Sequence, residues 1–171
     1  MLPDLQLPVV LPIRAGHVSV RRATTDDLSA LVALLSDDPI SAARGDRGDD
    51  LDLEAYAGAL TGVLDAPLND LLVVDAADAA VVGTLQLTLI PGMARRGATR
   101  LLVEAVRVSS SARSGGIGSA VMRWVMHEAA PATGATLVQL TSDAARVDAH
   151  RFYTRLGFAD SHIGFKYSVG S

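Results

Sequence analysis

The stretch that most constrains this chain lies over residues 106–118 and reads Val-Arg-Val-Ser-Ser-Ser-Ala-Arg-Ser-Gly-Gly-Ile-Gly. An apolar run over 101–108 leads into it with the character of a strand. A segment with Val121, Trp124 and Val125 on one helical face leads away. Strand, glycine-rich turn and helix start, in that order, make a site for anionic oxygens. Gly116 and Gly118 carry no Cβ, so a phosphate can approach the backbone, and the N–H groups of a first helical turn point at it. Arg113 adds a fixed positive charge beside them. The pattern predicts a pyrophosphate site. It is not a Walker loop, because no Gly-Lys-Ser/Thr follows the glycines. A dinucleotide fingerprint would need a glycine near Met122 and an acidic residue ending the next strand.

Residues 113–118 read Arg-x-x-Gly-x-Gly, which resembles the acetyl-coenzyme A loop of the GNAT superfamily of N-acetyltransferases. A second motif lies downstream: Ala149-His150-Arg151-Phe152-Tyr153-Thr154-Arg155-Leu156-Gly157-Phe158. It is similar to the GNAT signature in which a helix carries an aromatic-Tyr pair and closes on Leu-Gly-Phe. Ala149, Phe152, Tyr153 and Leu156 fall at helical spacing, and Gly157 stands where a left-handed cap would stop the helix. Phe158 is then expected to open a strand.

Bulk properties narrow the alternatives. With 171 residues, 49% of them hydrophobic and 20% charged, the chain can bury the core of a globular domain. It has no cysteine, which excludes disulfides, a thiol nucleophile and thiolate zinc sites. A net charge of −4 without a Lys/Arg run argues against a nucleic-acid partner. The four histidines share no metal-like spacing, so no metal is expected. Residues 1–16 are apolar but broken by Pro3, Pro8 and Pro12, and read as an extended lead-in with no membrane span and no targeting segment. The expected location is cytoplasmic.

Residues 17–171 read as a single domain. A first strand is expected at 17–23, then a helix capped by Thr25 with Leu28, Leu31, Val32 and Leu35 facing inward. A polar mobile loop follows over 37–50, with Asp37, Asp38, Arg44, Asp46, Arg47 and Asp49. A second helix is expected at 51–64 and antiparallel strands at 71–75 and 81–90. A turn at 91–97 precedes the long strand 99–109, the central helix, a buried strand at 135–141, the Tyr153 helix and a terminal strand pair including 164–169. This order fits the α/β class and the GNAT arrangement: a mixed, mostly antiparallel sheet splayed between two parallel strands and flanked by helices.

The resemblance implies a mechanism. Acetyl-CoA, as cosubstrate, would lay its pantetheine arm along the backbone of Val106, Arg107 and Val108, with the thioester carbonyl polarised by the N–H near Val108. Amides of Arg113, Ser114, Gly115, Gly116, Ile117, Gly118 and Ser119 would hold the pyrophosphate. An amine of a small molecule or peptide would attack the thioester directly. Its pKa of roughly 10 calls for a base. Glu104 is the candidate, because alternation would put 104, 106 and 108 on one face; the other reading pairs it with Arg100 or Arg107, or leaves it in solvent. Tyr153 takes the place of the family's general acid near the departing sulfur; otherwise its ring is simply packed.

Lesser candidates are His150 as a relay and Asp37, Asp38 and Asp49 as attractors of a cationic amine. Arg95 and Arg96 could meet an anion. His17, His127 and His162 read as surface or structural residues. Departures from the family pattern are Gly115, where many members have a basic residue, Ser110 in place of Pro and Arg146 in place of Asn. A homodimer is compatible with the resemblance. A domain that binds acetyl-CoA without turnover, or one that serves only as an interaction module, stays open beside the enzyme.

Overall fold

The computed structural model describes residues 2, 4–42, 45 and 50–170. The chain divides into two compact units, Met1–Gln139 and Leu140–Ser171. Among the described residues six strands form one sheet in chain order: β1 Val9–Ile13, β2 Gly16–Arg22, β3 Asn69–Asp75, β4 Val81–Ile90, β5 Arg100–Val108 and β6 Leu137–Leu140. Neighbours from β1 to β5 pair antiparallel. Thr136 donates its N–H to the Thr99 carbonyl at 2.9 Å. The starts of β5 and β6 therefore lie side by side, and the sheet is mixed.

Helices cover both faces. On one, α1 (Leu28–Ser36), the short α2 (Pro39–Ala42) and α3 (Asp50–Asp65) follow β2. There Ala23, Leu31, Leu60 and Val73 make a buried cluster, joined by Leu28, Leu64 and Leu71. The single turn α4 (Ala94–Gly97) links β4 to β5. On the other face, α5 (Ile117–Trp124) continues through a π-turn at Val125–Ala129 into α6 (Ala130–Ala132). It buries Val121, Met122, Trp124 and Val125, while Leu85, Leu87, Leu101 and Val103 are fully buried in the sheet. At about 25 cal/mol per Å² of apolar surface removed from water, these two layers are the main favourable contribution to folding.

Several elements differ from the sequence reading. The sheet begins one strand earlier than residue 17, since the lead-in supplies β1. Pro12 is tolerated because β1 is an edge strand, where a missing N–H breaks no ladder. Leu2, Leu5 and Leu11 are buried, and Arg22 donates to the Leu5 carbonyl at 3.0 Å. Thr25 does not cap the first helix: it opens a 3-10 turn, Thr25–Asp27, which Thr24 caps with Asp27 reaching back to the Thr24 N–H at 2.8 Å, and Asp27 then stands at the N-cap of α1. In the expected loop over 37–50, Asp38 is buried and residues 39–42 are helical, while Arg44, Asp46, Arg47 and Asp49 lie outside the described residues.

The strand expected at 135–141 shortens to β6 and is half-buried. In the second unit, α7 (Val147–Arg155) ends as expected. Gly157 has φ +98°, its N–H donates to the Thr154 carbonyl at 3.0 Å, and the Phe158 N–H donates to Tyr153 at 3.1 Å. These two bonds complete a Schellman cap. Beyond it the strand at Phe158 and the terminal pair over 164–169 do not form. Ile163, Phe165, Tyr167 and Val169 alternate as a strand face would, but are 83–92% exposed. Alternation proposes a strand; a hydrogen-bonded neighbour makes one, and residues 158–170 have none among the described residues.

Candidate active site

The β5–α5 connection carries the pyrophosphate candidates. After a 3-10 turn at Ser110–Ala112, Ser114 takes φ +69° and Gly116 takes φ +92° with ψ 0°. Left-handed residues at alternate positions turn successive amides inward, the geometry of an anion-binding nest. The N–H groups of Ser114, Gly115, Gly116, Ile117, Gly118 and Ser119 donate to no acceptor among the described residues. The first intrahelical bond at this end comes from Ala120 to Gly116, at 2.9 Å. A row of open donors at a helix N-terminus fits a phosphate, and Gly116 supplies the backbone shape that a side chain would strain.

Two cations flank this turn. Arg113 is exposed and folds back, its Nε donating to the Val108 carbonyl at 3.2 Å. Arg14, in the turn between β1 and β2, is the residue that sequence reasoning missed. Its backbone N–H donates to the Gly115 carbonyl at 3.3 Å and its guanidinium to the Ser114 carbonyl at 3.2 Å. A Cβ added at Gly116 would lie 3.6 Å from Arg14 Cγ. Arg14 thus brings a second cation to the loop beside Arg113. No local signal predicts this, because Arg14 is 100 residues away in sequence.

Asp37 is drawn to the same loop. It accepts the Ser110 N–H at 2.6 Å and the Ser110 hydroxyl at 3.0 Å, with Arg113 at 3.9 Å. The Ser110 N–H, then its hydroxyl, hold the Asp37 carboxyl below the usual carboxylate range. Its carboxylate ties the end of α1 to the loop after β5.

The strand β5 is bulged. Thr84 pairs with Arg107 and Gln86 with Glu104, so two residues, Ala105 and Val106, oppose Leu85; Ala105 takes φ +49°. The extra residue overturns the expected face-sharing. Glu104 lies on the side of Arg107 and Gln86, while Val106 and Val108 fall on the other. Glu104 is exposed and makes no ion pair with Arg100 or Arg107 among the described residues. The Ser109 N–H donates to the Val82 carbonyl at 2.9 Å, which makes 109 and 82 a hydrogen-bonded pair. Continuing the antiparallel pattern, the peptide groups of Val108 and Val106 point away from β4. On that side the Val106 carbonyl accepts from the Arg107 guanidinium at 2.9 Å and the Val108 carbonyl from Arg113 Nε at 3.2 Å.

In the second unit Tyr153 is half-buried on α7. Its ring packs edge-on against Phe152 at 5.1 Å and Phe158 at 5.8 Å. His150 Nε2–H donates to the Asp143 carbonyl at 2.8 Å, which fixes it to its own loop. His17, His127 and His162 are exposed, as are Arg95 and Arg96. No helix among the described residues is long and apolar enough to cross a membrane.

Comparison with known proteins bears on the fold and the family. A solved transcriptional regulator from Bacillus halodurans C-125 is 38% identical, covers 90% of this chain and 100% of its own, and superposes with a TM-score of 0.83. Glucosamine-6-phosphate N-acetyltransferase from Arabidopsis thaliana shares the fold at 16% identity, with 90% and 99% coverage and a TM-score of 0.69. The aminoalkylphosphonate N-acetyltransferase of Salmonella typhimurium is 47% identical over 49 residues, which span 29% of this chain and only 31% of that relative. Residues 29–158 match the model of the Acetyltransferase (GNAT) family. Since that match takes in far more than half of the sequence, the chain belongs to the GNAT acetyltransferase family.

Proposed function

We propose that the protein transfers an acetyl group from acetyl-CoA to an amine of a small molecule or peptide. The observation that carries this reading is the open row of amides at residues 114–119, set in a left-handed turn between Arg113 and Arg14. Pyrophosphate oxygens accept from those N–H groups. The outward peptide groups of Val106 and Val108 pair with the pantetheine arm, and the Val108 N–H donates to the thioester carbonyl. Arg107, paired with Thr84 on β4, donates to the Val106 carbonyl at 2.9 Å on that edge.

Glu104, on the face beneath α1 and α3, takes a proton from the acceptor ammonium, directly or through water, so that the neutral nitrogen attacks the thioester carbon. The C–S bond breaks, and Tyr153 hydrogen-bonds or protonates the departing thiolate. No acyl-enzyme forms. Carboxylate and phenol are the two groups whose removal alters the pH profile and the rate.

The experiment is isothermal titration of wild type and Gly116→Trp with acetyl-CoA and CoA. Micromolar binding in wild type that disappears in Gly116→Trp supports the coenzyme site, and release of CoA with a panel of amines then reads turnover. Absence of binding to either nucleotide rejects the enzyme. A second reading, a domain that binds acetyl-CoA as a signal, draws on the relative described as a transcriptional regulator. Tight binding with no turnover across the panel would favour it.

A further inference from the structure

On the face of the sheet that carries Glu104, a cavity of about 140 Å³ lies beneath α1 and α3. Leu31 and Leu35 line it from α1, Tyr56 and Leu60 from α3, and Gln86 and Ala105 from the sheet. Two of these positions connect it to the reacting end. Ala105 is the left-handed bulge residue next to Glu104, and Gln86 is the cross-strand partner of Glu104. The wall is otherwise apolar apart from the Tyr56 ring with its hydroxyl, and two of its polar groups are already engaged. The Gln86 amide donates to Asn69 Oδ1 at 2.9 Å, and the Thr84 hydroxyl, also at the wall, donates to the Leu72 carbonyl at 2.8 Å. None of its lining residues is charged.

We propose that this cavity receives the substituent of the acceptor, and that the acceptor is a primary amine bearing a branched alkyl or aryl group. The inference rests on the acetyltransferase reading and names its acceptor class. An apolar cavity of about 150 Å³ holds a benzene-sized guest and stays dry when empty, so about six carbons fill this one. With such a group seated beside Ala105, its amine stands next to the Glu104 carboxylate and on the strand that carries Val108. A hydroxyl, ammonium or phosphonate in the same place would lose its water and find no counter-charge or open hydrogen-bond partner. The phosphonate named for the Salmonella relative is therefore not the chemistry this wall selects.

The test is titration of the protein, with and without saturating CoA, by isopentylamine, ethylamine, putrescine and 2-aminoethylphosphonate. Each carbon buried in an apolar site is worth about a factor of four in affinity, so the three extra carbons of isopentylamine predict about 50-fold tighter binding than ethylamine. Ala59→Phe, at the exposed rim of the cavity, is expected to bring that ratio down toward one. Val63→Phe, one turn further along α3, gives the same reading if the first variant does not fold. Equal binding of the two alkylamines, preference for putrescine or 2-aminoethylphosphonate, no amine binding, or a ratio unmoved in both variants overturns the proposal. Isopentylamine binding without acetyl-CoA binding would reject the acetyltransferase reading while leaving the cavity's preference intact.

Discussion

Arg14 projects a fixed cation onto the turn at Ser114 and Gly115 from a hairpin on the far side of the sequence. Its guanidinium spends one of five donors on the Ser114 carbonyl, and no carboxylate pairs with it among the described residues. Arg14→Ala is expected to raise the Kd for acetyl-CoA by about 5- to 10-fold, a modest figure because the site is exposed to water and screened. The effect should shrink with added salt. S-acetylpantetheine, which lacks the pyrophosphate, should bind both proteins alike, and Arg14→Lys should recover part of the loss. Titration of both ligands checks this; an unchanged Kd for acetyl-CoA would sink it. The reacting groups permit a second prediction. Glu104→Gln should lower kcat/KM at neutral pH by about 100-fold, with activity returning as the pH approaches the pKa of the amine, since solvent then supplies the neutral nucleophile. Tyr153→Phe should slow kcat by about 10-fold without abolishing it, because a thiolate leaves well unaided. A pH–rate profile of the two variants separates their roles. The left-handed turn at Gly116 and the helix that carries Tyr153 could be read from local motifs. Arg14 could not, since only the folded sheet brings it to the loop.

Elements repeat that contrast. The cap at Gly157 could be read from Leu-Gly-Phe, and both bonds of the cap form. A Cβ there meets nothing within 4 Å, so Gly157→Ala pays only for the left-handed backbone at φ +98°. About 1 kcal/mol of destabilisation is expected, seen as faster hydrogen exchange at the end of α7. Gly92 is the opposite case: an added Cβ would come within 2.6 Å of the Ala98 carbonyl oxygen. Backbone cannot yield as a side-chain tip can, so Gly92→Ala should destabilise by about 2 kcal/mol or more, measured by denaturant unfolding. A Gly92→Ala protein as stable as wild type would show that the turn before β5 relaxes freely. Strand periodicity was a reliable guide only where the ladder is regular. It located β3, β4 and β5, yet the bulge at Ala105 reversed the side on which Glu104 lies, and alternation cannot see an extra residue. Likewise, the lead-in read as extended but not as a strand, because sequence does not reveal that residues 9–13 find a partner in β2. Alternation over 163–169 argued for a strand that pairing did not supply.

At the scale of the whole molecule, one charge cluster ties distant parts of the first unit together. Arg21 on β2 donates through both terminal nitrogens to Asp27, at 2.8 Å each, and through Nε to Asp75 at the end of β3, at 2.7 Å. Asp27 also accepts the Thr24 N–H at 2.8 Å, so one buried carboxylate joins the sheet to the start of α1. The Arg21 bonds hold the Asp27 carboxyl below its ordinary value; burial opposes them, and the Thr24 N–H adds to the lowering. The Arg21 pKa is raised, first by its bonds to Asp27, so it stays charged throughout. Because the folded carboxyl is the stronger acid, protons bind preferentially to the unfolded chain. The stabilisation is complete above the unfolded pKa of about 4 and fades as the pH falls through the lower folded value. Asp27→Asn keeps the shape but loses the charge, and should cost about 2 kcal/mol at pH 7. That gap between wild type and variant should hold down to about pH 5 and then narrow in stronger acid, as wild type surrenders what the variant never had. Urea unfolding of both proteins at pH 7, 5 and 3 reads the difference directly. A gap that stays constant to pH 3 would mean that Asp27 supports the start of α1 by shape and neutral hydrogen bonds alone, with its ionisation contributing nothing to the fold.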